Sequence, residues 1–135
     1  MKTRQNPNIA SALTKMAEER PEEVAIYHPT GRSADGRWSY EATTYRELDE
    51  ESTQIAQGLH KIGIGPGTRA VLMVKPSKEF FALTFGLFKA AVIPVMVDPG
   101  MGIKNLKTCL KEAAPQAFIG IPKAHLARVI LGWGK

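Results

Sequence analysis

The residues that most often carry chemistry are scattered through this chain rather than grouped. His28, His60 and His125 lie far apart in the sequence, and Cys109 has no neighbouring residue that would complete a metal site. The serines lack the Gly-x-Ser-x-Gly setting that exposes a nucleophile on a strained turn; they are Ser11, Ser33, Ser39, Ser52 and Ser77. We therefore assign no catalytic, cofactor-binding or metal-binding residue.

Lys89 is the one charge in the apolar stretch from Phe80 to Val97. A desolvated lysine can act as a base or a nucleophile. A lysine at the end of a helix can also extend to solvent and interact with the carboxyl-terminal dipole, and we favour this second interpretation. The stretch is long enough to suggest a membrane span, but a central charge there costs about 2.5 to 3.5 kcal/mol and Pro94 interrupts the helix. We expect a helix followed by a buried strand instead.

Two further local patterns favour structural roles. The segment Gly63–Gly67 contains three glycines, but a dinucleotide-binding loop follows a strand and opens a helix, whereas this segment has the reverse context. We predict a helix C-cap and a tight turn. The acidic run Asp49–Glu51 falls in the first half of a predicted helix, where the dipole favours it, and we expect a solvated helix face.

The composition limits the class of partner and the compartment. The chain has 135 residues and a formal net charge of +5, but its lysines and arginines are spread singly, so we do not expect nucleic-acid binding. The opening Met1–Asn8 is polar and lacks the apolar region of a secretory signal. A single cysteine excludes an internal disulfide framework. We expect a cytoplasmic protein in which Cys109 is a buried small hydrophobe.

The first part of the chain predicts a helix, a hairpin and a second helix. Ile9, Leu13, Met16 and Ala17 recur at helical spacing after a candidate N-cap, Asn8. Turn residues separate the strand pattern 24–27 from the alternating pattern 38–42, which indicates a β-hairpin. The segment 44–47, Thr-Tyr-Arg-Glu, has the form of a capping box and predicts a helix with Leu48, Ser52, Ala56 and Leu59 on one face.

The second part alternates apolar strands with helices. Strands are predicted at 70–74, 92–97 and 117–121, with a nearly all-apolar helix at 78–91 between the first two and an amphipathic helix after residue 103. This order predicts right-handed βαβ units and a parallel sheet. The expected fold class is α/β, with about three core strands plus an N-terminal helix and β-hairpin, and residues 1–135 form one incomplete domain.

Two segments carry a resemblance to a known family. They are Thr44-Tyr45-Arg46-Glu47-Leu48 and Gly86-Leu87-Phe88-Lys89-Ala90-Ala91-Val92-Ile93-Pro94-Val95-Met96-Val97-Asp98-Pro99. In this order they resemble the first two core motifs of adenylate-forming enzymes, which include acyl-CoA synthetases, luciferases and peptide-synthetase adenylation domains. The segments 98–102 and 120–124 look closest to fatty-acid ligases and bacterial olefin β-lactone synthetases. Ala91 departs from the second motif, which commonly has glycine there, and we expect an effect on close packing.

The resemblance implies activation of a fatty or β-hydroxy acid by ATP with Mg²⁺, giving an acyl-adenylate. The family's Ser/Thr/Gly-rich phosphate loop, its nucleotide contacts and its catalytic lysine lie farther along than Lys135. Tyr45, Lys89 and Asp98 match motif positions that are mainly structural in the family. We therefore expect the N-terminal portion of such a ligase, interrupted within a domain and inactive alone, with no cofactor of its own.

Two alternatives stay open. The chain could be a free-standing α/β interaction or regulatory module derived from a ligase, or a nucleotide-binding domain that uses its strand ends, although no phosphate loop is visible. For the ligase fragment and for the interaction module, we expect an exposed apolar face and an unpaired sheet edge. These surfaces would pair with the remainder of a ligase fold or with a second copy of the chain.

Overall fold

The computed structural model describes residues 8–133. The expectations about residues 1–7 and about the ending Gly134-Lys135 fall outside the described residues. The elements are α1 (Ala10–Glu19), β1 (Val24–Arg32), β2 (Trp38–Thr44), α2 (Tyr45–Lys61), β3 (Arg69–Met73), α3 (Lys78–Lys89), β4 (Ile93–Met96), a 3₁₀ turn (Pro99–Met101), α4 (Ile103–Ala113), β5 (Ala117–Gly120) and α5 (Pro122–Leu131).

The centre of the fold is a three-stranded parallel sheet in the order β4-β3-β5. Val71 of β3 lies opposite Val95 of β4 on one side and Phe118 of β5 on the other. Ala70, Val71 and Leu72 are almost completely inaccessible, as expected for a continuously apolar strand that is covered on both faces. The predicted α/β class, with three parallel core strands, an N-terminal helix and a hairpin, is confirmed.

Each face of the sheet has its own helical layer. Ala70 and Leu72 point toward α2 and α3, where they pack with Leu59 and Leu87. Val71, one residue out of phase with them, packs on the opposite face with residues that include Leu106, Leu110 and Trp133. The alternation of side chains along a single strand therefore divides the core into two clusters.

A third cluster joins the N-terminal elements to the sheet layer. Leu13 of α1, Leu48 of α2 and Ala82 of α3 are buried together, and Ala25 and Ile26 of β1 pack against them. Strands β1 and β2 pair antiparallel with two register irregularities, which confirms the hairpin. The alternating residues Trp38 and Tyr40 are nevertheless exposed.

Local capping explains where the main helices begin. The Thr44 hydroxyl accepts from the Glu47 N–H, and the Glu47 carboxylate accepts from the Thr44 N–H at 2.8 Å, so the predicted capping box is confirmed. The backbone N–H of Thr44, followed by its hydroxyl, holds the pKa of Glu47 below its usual value. The Ser77 hydroxyl accepts from the Phe80 N–H at the start of α3.

Several sequence predictions need correction. Helix α5 was not predicted, although Pro122 opens it and Gly132, with φ of +64°, closes it. Cys109 is exposed rather than buried, because it faces outward between the buried Leu106 and Leu110 of α4. Ile9 is also exposed, so the apolar face of α1 begins after this residue. The Asn8 side chain accepts from the Ala10 N–H at the start of the helix.

The apolar segment 80–97 folds as α3 followed by β4. Within residues 8–133, no helix has both the length and the apolar character that a membrane span requires. Helix α3 is less enclosed than its composition suggests, since Ala82, Gly86 and Leu87 are buried while Phe81 remains exposed.

Ala91 adopts a left-handed backbone conformation with φ of +54°. This conformation is costly for an L-residue with a Cβ atom and favourable for glycine. The common glycine of the second motif is thus explained by the backbone turn between α3 and β4. The close-packing explanation that we expected for this position is wrong, since the Ala91 side chain is exposed.

Replacing Ala91 by glycine should stabilise the fold. We expect Ala91→Gly to raise the free energy of unfolding by about 0.5 to 1 kcal/mol, because relief of the left-handed strain exceeds the added chain entropy of the unfolded state. Urea denaturation measures the change. Ala12→Gly, at an exposed helical position of α1, should instead lower the free energy of unfolding by about 1 kcal/mol. A destabilised Ala91→Gly variant would contradict this explanation.

Candidate functional site

Lys89 lies at the centre of the main polar cluster in the described part of the chain. Its ammonium donates to the Asp49 carboxylate at 2.7 Å, to the Asp49 carbonyl at 2.8 Å and to the Thr53 hydroxyl at 2.7 Å. Thr14 of α1 donates to the same Asp49 carboxylate at 2.9 Å. All three ammonium donors are thereby satisfied, and one side chain of α3 is joined to α2 and, through Asp49, to α1.

This cluster corrects two sequence predictions. The Lys89 side chain is only 13% exposed and does not extend to solvent, and the Asp49 side chain is 21% exposed and does not belong to a solvated face. The acceptors come from residues 36 to 40 positions earlier in the chain, a separation at which helical periodicity gives no signal. Because each of its three N–H donors already has an acceptor on α2, Lys89 is a structural tether between α3 and α2.

Removal of the Lys89 ammonium should destabilise the fold strongly. We expect Lys89→Met to lower the free energy of unfolding by about 3 kcal/mol, since it leaves the Asp49 carboxylate largely buried without its cation. Lys78→Met is the matched control, because it breaks the more exposed Lys78–Glu41 pair and should change stability by about 0.5 kcal/mol or less. The double variant Lys89→Met/Asp49→Leu should recover part of the loss. Equal effects of the two single variants in urea denaturation would refute the tether.

Gly86 sets the distance between α2 and α3. A Cβ atom at this position would lie 2.5 Å from the Ile55 Cγ2 atom and 3.2 Å from the Ser52 carbonyl oxygen. Ser52 is itself completely buried at this crossing. Gly86, the first residue of the second motif, is therefore required by the close approach of the two helices.

Arg69, at the start of β3, fixes the end of α4. Its guanidinium donates to the carbonyl oxygens of Ala113 and Ala114 at 2.9 to 3.0 Å, and its backbone N–H donates to the Gln116 side chain at 3.1 Å. A cation at the carboxyl end of a helix offsets the partial negative charge there. Gly63 has the positive φ expected of a residue that ends α2, and Gly67 in the following turn also has a positive φ. This turn leads into Arg69, which anchors α4 on the opposite face of the sheet.

An open apolar groove of about 540 Å³ lies between α1, β1, α2 and α3. Its lining includes Leu13, Tyr45, Leu48, Phe81 and Phe85, and it has no lysine, arginine, histidine, aspartate or glutamate. A groove of this composition can accommodate an apolar group, and the hydroxyl-bearing residues in its lining are Tyr27 and Tyr45.

The carboxyl ends of the parallel strands are where an α/β sheet usually places a ligand. In this chain Ser77, after β3, caps α3, and the Asp98 carboxylate, after β4, accepts from the Gly100 N–H at 2.8 Å. Within residues 8–133 no group of three or more histidine, cysteine, aspartate or glutamate side chains could hold a metal ion. Both of these side chains therefore serve as local caps.

Comparison with known proteins gives these features a context. Residues 13–131 match the family model described as AMP-binding enzyme, from within α1 to the end of α5. The chain belongs to this family. The resemblance inferred from the two motifs is confirmed: the first motif forms the cap and first residues of α2, and the second forms the end of α3, the left-handed turn and β4.

The curated relatives are longer than this chain. An olefin beta-lactone synthetase from Xanthomonas campestris pv. campestris is 57% identical over 127 residues, which are 93% of this chain and 23% of that protein. One from Stenotrophomonas maltophilia is 52% identical over 128 residues, with the same coverage. The chain therefore spans about a quarter of the length of these relatives.

Solved structures confirm the fold. The chain resembles VinN with a TM-score of 0.73 and 22% identity, covering 92% of this chain and 30% of VinN. It resembles the N-terminal subdomain of NpsA from Klebsiella oxytoca, in complex with 3-hydroxyanthranilyl-AMSN, with a TM-score of 0.71 and 20% identity, covering 84% of this chain and 26% of that one. The described elements thus form part of the adenylation-domain fold.

Proposed function

We propose that this chain forms the N-terminal part of an ATP-dependent ligase that activates a fatty or β-hydroxy acid as its acyl-adenylate. The observation that carries the proposal is the identity of 57% and 52% to two olefin beta-lactone synthetases over nearly the whole chain. The full-length enzyme would use ATP with Mg²⁺, which neutralises phosphate charge. The cytoplasm is the proposed site of action, in keeping with the single cysteine.

In this proposal the 135 residues supply scaffold rather than chemistry. The Lys89 ammonium is bound to Asp49, and the side chains of Ser77 after β3 and Asp98 after β4 cap the turns that follow them. The apolar groove beside Tyr45 and Phe81 is lined by no lysine, arginine, histidine, aspartate or glutamate. Binding of ATP and transfer of its adenylyl group would depend on segments of the relatives that this chain does not span.

The isolated chain should not exchange pyrophosphate into ATP. We expect no exchange above background with Mg²⁺, ATP and either a long-chain fatty acid or a β-hydroxy acid, because no described group fits the triphosphate. A full-length olefin beta-lactone synthetase serves as the positive control in the same assay. Acid-dependent exchange by the 135-residue chain would overturn the scaffold role.

A free-standing interaction module is a second candidate, and one surface favours it. Leu126, Val129 and Ile130 fall on one face of α5 and are largely exposed. Strand β4 pairs only with β3 among the described strands, and its Ile93 and Met96 are also exposed. We infer that these surfaces pair with the remainder of a ligase fold or with a second copy of the chain, since apolar patches and open edges favour association.

The exposed α5 face should make the isolated chain self-associate. We expect sedimentation velocity to show a concentration-dependent increase in mass, and the triple variant Leu126→Gln/Val129→Gln/Ile130→Gln to reduce it by about tenfold in association constant. The matched control Leu126→Ile/Val129→Ile/Ile130→Leu keeps the apolar face and should associate like the original chain. A monomer at all concentrations would exclude the second copy as partner.

A further inference from the structure

The apolar groove between α1, β1, α2 and α3, termed the α1–α3 groove, is a concave surface that is open to solvent. Its volume is about 540 Å³. Leu13 and Leu48 in its lining are buried, whereas the lining residues Ile9, Tyr27 and Phe81 are exposed. A contiguous apolar surface of this kind marks a site of interaction with another macromolecule or a ligand.

Helix α5 carries a protruding apolar surface. Its Ala127 and Leu131 pack against the core cluster around Val71, so its opposite face points away from the core. On that face Leu126, Val129 and Ile130, termed the α5 ridge, are 61% to 70% exposed and stand at positions i, i+3 and i+4. A helix that docks in an apolar groove presents its anchoring side chains at this spacing.

The α1–α3 groove has an acidic rim. The last turn of α1 and the segment that joins α1 to β1, two of the walls of the groove, carry four exposed glutamates: Glu18, Glu19, Glu22 and Glu23. Residues 8–51, which supply α1, the hairpin and the start of α2, contain ten aspartates and glutamates against five lysines and arginines. This part of the chain therefore has a formal net charge of −5.

The α5 ridge lies in the basic part of the chain. Residues 52–133 contain ten lysines and arginines against three acidic residues, a formal net charge of +7. Lys123 is exposed in the first turn of α5, three residues before Leu126, where the partial positive charge of the helix adds to its own. The ridge and the groove thus differ in shape and are opposite in charge.

This difference favours contact between unlike surfaces of two copies. Two α5 ridges placed against each other would bring the Lys123 side chains of both copies into the same region, and two grooves would bring their acidic rims together. Like charges placed across an interface oppose association, whereas a ridge placed against a groove brings opposite charges together.

We propose that the α5 ridge of one copy docks in the α1–α3 groove of a second copy, so that copies of the chain associate head to tail. The ridge contacts the apolar lining, and Lys123 lies near Glu19, which follows the lining residue Met16 by three residues along α1. One groove and one ridge stay free at the two ends of such a pair, so association continues beyond a dimer. The proposal rests on the self-association put forward for the second candidate function and assigns the two surfaces that meet.

Two variants that each lack one surface test the head-to-tail contact. The ridge variant replaces the three residues of the α5 ridge by glutamine, and the groove variant is Ile9→Gln/Ala12→Gln/Phe81→Gln, at exposed lining positions. In sedimentation velocity the original chain should exceed the mass of a dimer as its concentration rises. Each variant alone should associate about tenfold more weakly. An equimolar mixture of the two should regain the original affinity and stop at a dimer, because each mixed pair has one intact ridge and one intact groove.

A matched control removes exposed apolar side chains outside both surfaces. Tyr40→Gln/Ile62→Gln/Ile103→Gln should change the association constant less than twofold. Circular dichroism checks that each variant keeps its fold. A groove variant that associates like the original chain, or two variants that fail to combine, would overturn the head-to-tail contact. A monomeric original chain would overturn self-association as a whole and leave both surfaces to the remainder of a ligase fold.

Exchange of charge tests the direction in which α5 lies on α1. Glu19→Lys and Lys123→Glu should each weaken association about threefold, because each places like charges at the contact. The double variant should return to within twofold of the original chain. Glu50→Lys/Lys104→Glu exchanges charge at positions that do not border the contact and should have less than a twofold effect. A double variant that associates no better than the single variants would overturn the pairing of α5 with α1.

Discussion

Strand β3 must be covered on both faces and both edges, and the remaining elements are arranged around that requirement. Ala70, Val71 and Leu72 are almost fully inaccessible, which no single helical layer could achieve. The chain therefore places β4 and β5 on the two sides of β3 and a separate helical layer on each face. Burial of such a strand stabilises the fold, because each large apolar side chain removed from water contributes about 1.5 to 3 kcal/mol to the free energy of unfolding.

The polar interactions serve this arrangement rather than compete with it. The Lys89–Asp49 pair joins three helices on one side of the sheet, and Arg69 attaches the end of α4 on the other. Both are partly buried, and both satisfy several hydrogen bonds between elements that are distant in the sequence.

Local signals carried most of what the sequence could predict about the fold. The capping box at Thr44, the continuous apolar run of β3 and the turn glycine Gly63 each act within a few residues, and each was correctly placed. The partner of Lys89 could not be predicted in this way, because its acceptors lie on another helix. The exposure of Cys109 depends likewise on how the helices pack, and α5 gave too weak an apolar periodicity to be recognised.

Gly86 shows how strongly two distant positions can depend on each other. The space that a side chain at 86 would need is already occupied by the Ile55 methyl group, so the two residues share one volume. Any evolutionary change that enlarges residue 86 requires a compensating loss at residue 55 or a wider separation of α2 and α3. Substitutions at residues 55 and 86 are thus coupled, because the spacing of α2 and α3 limits the combined size of the two side chains.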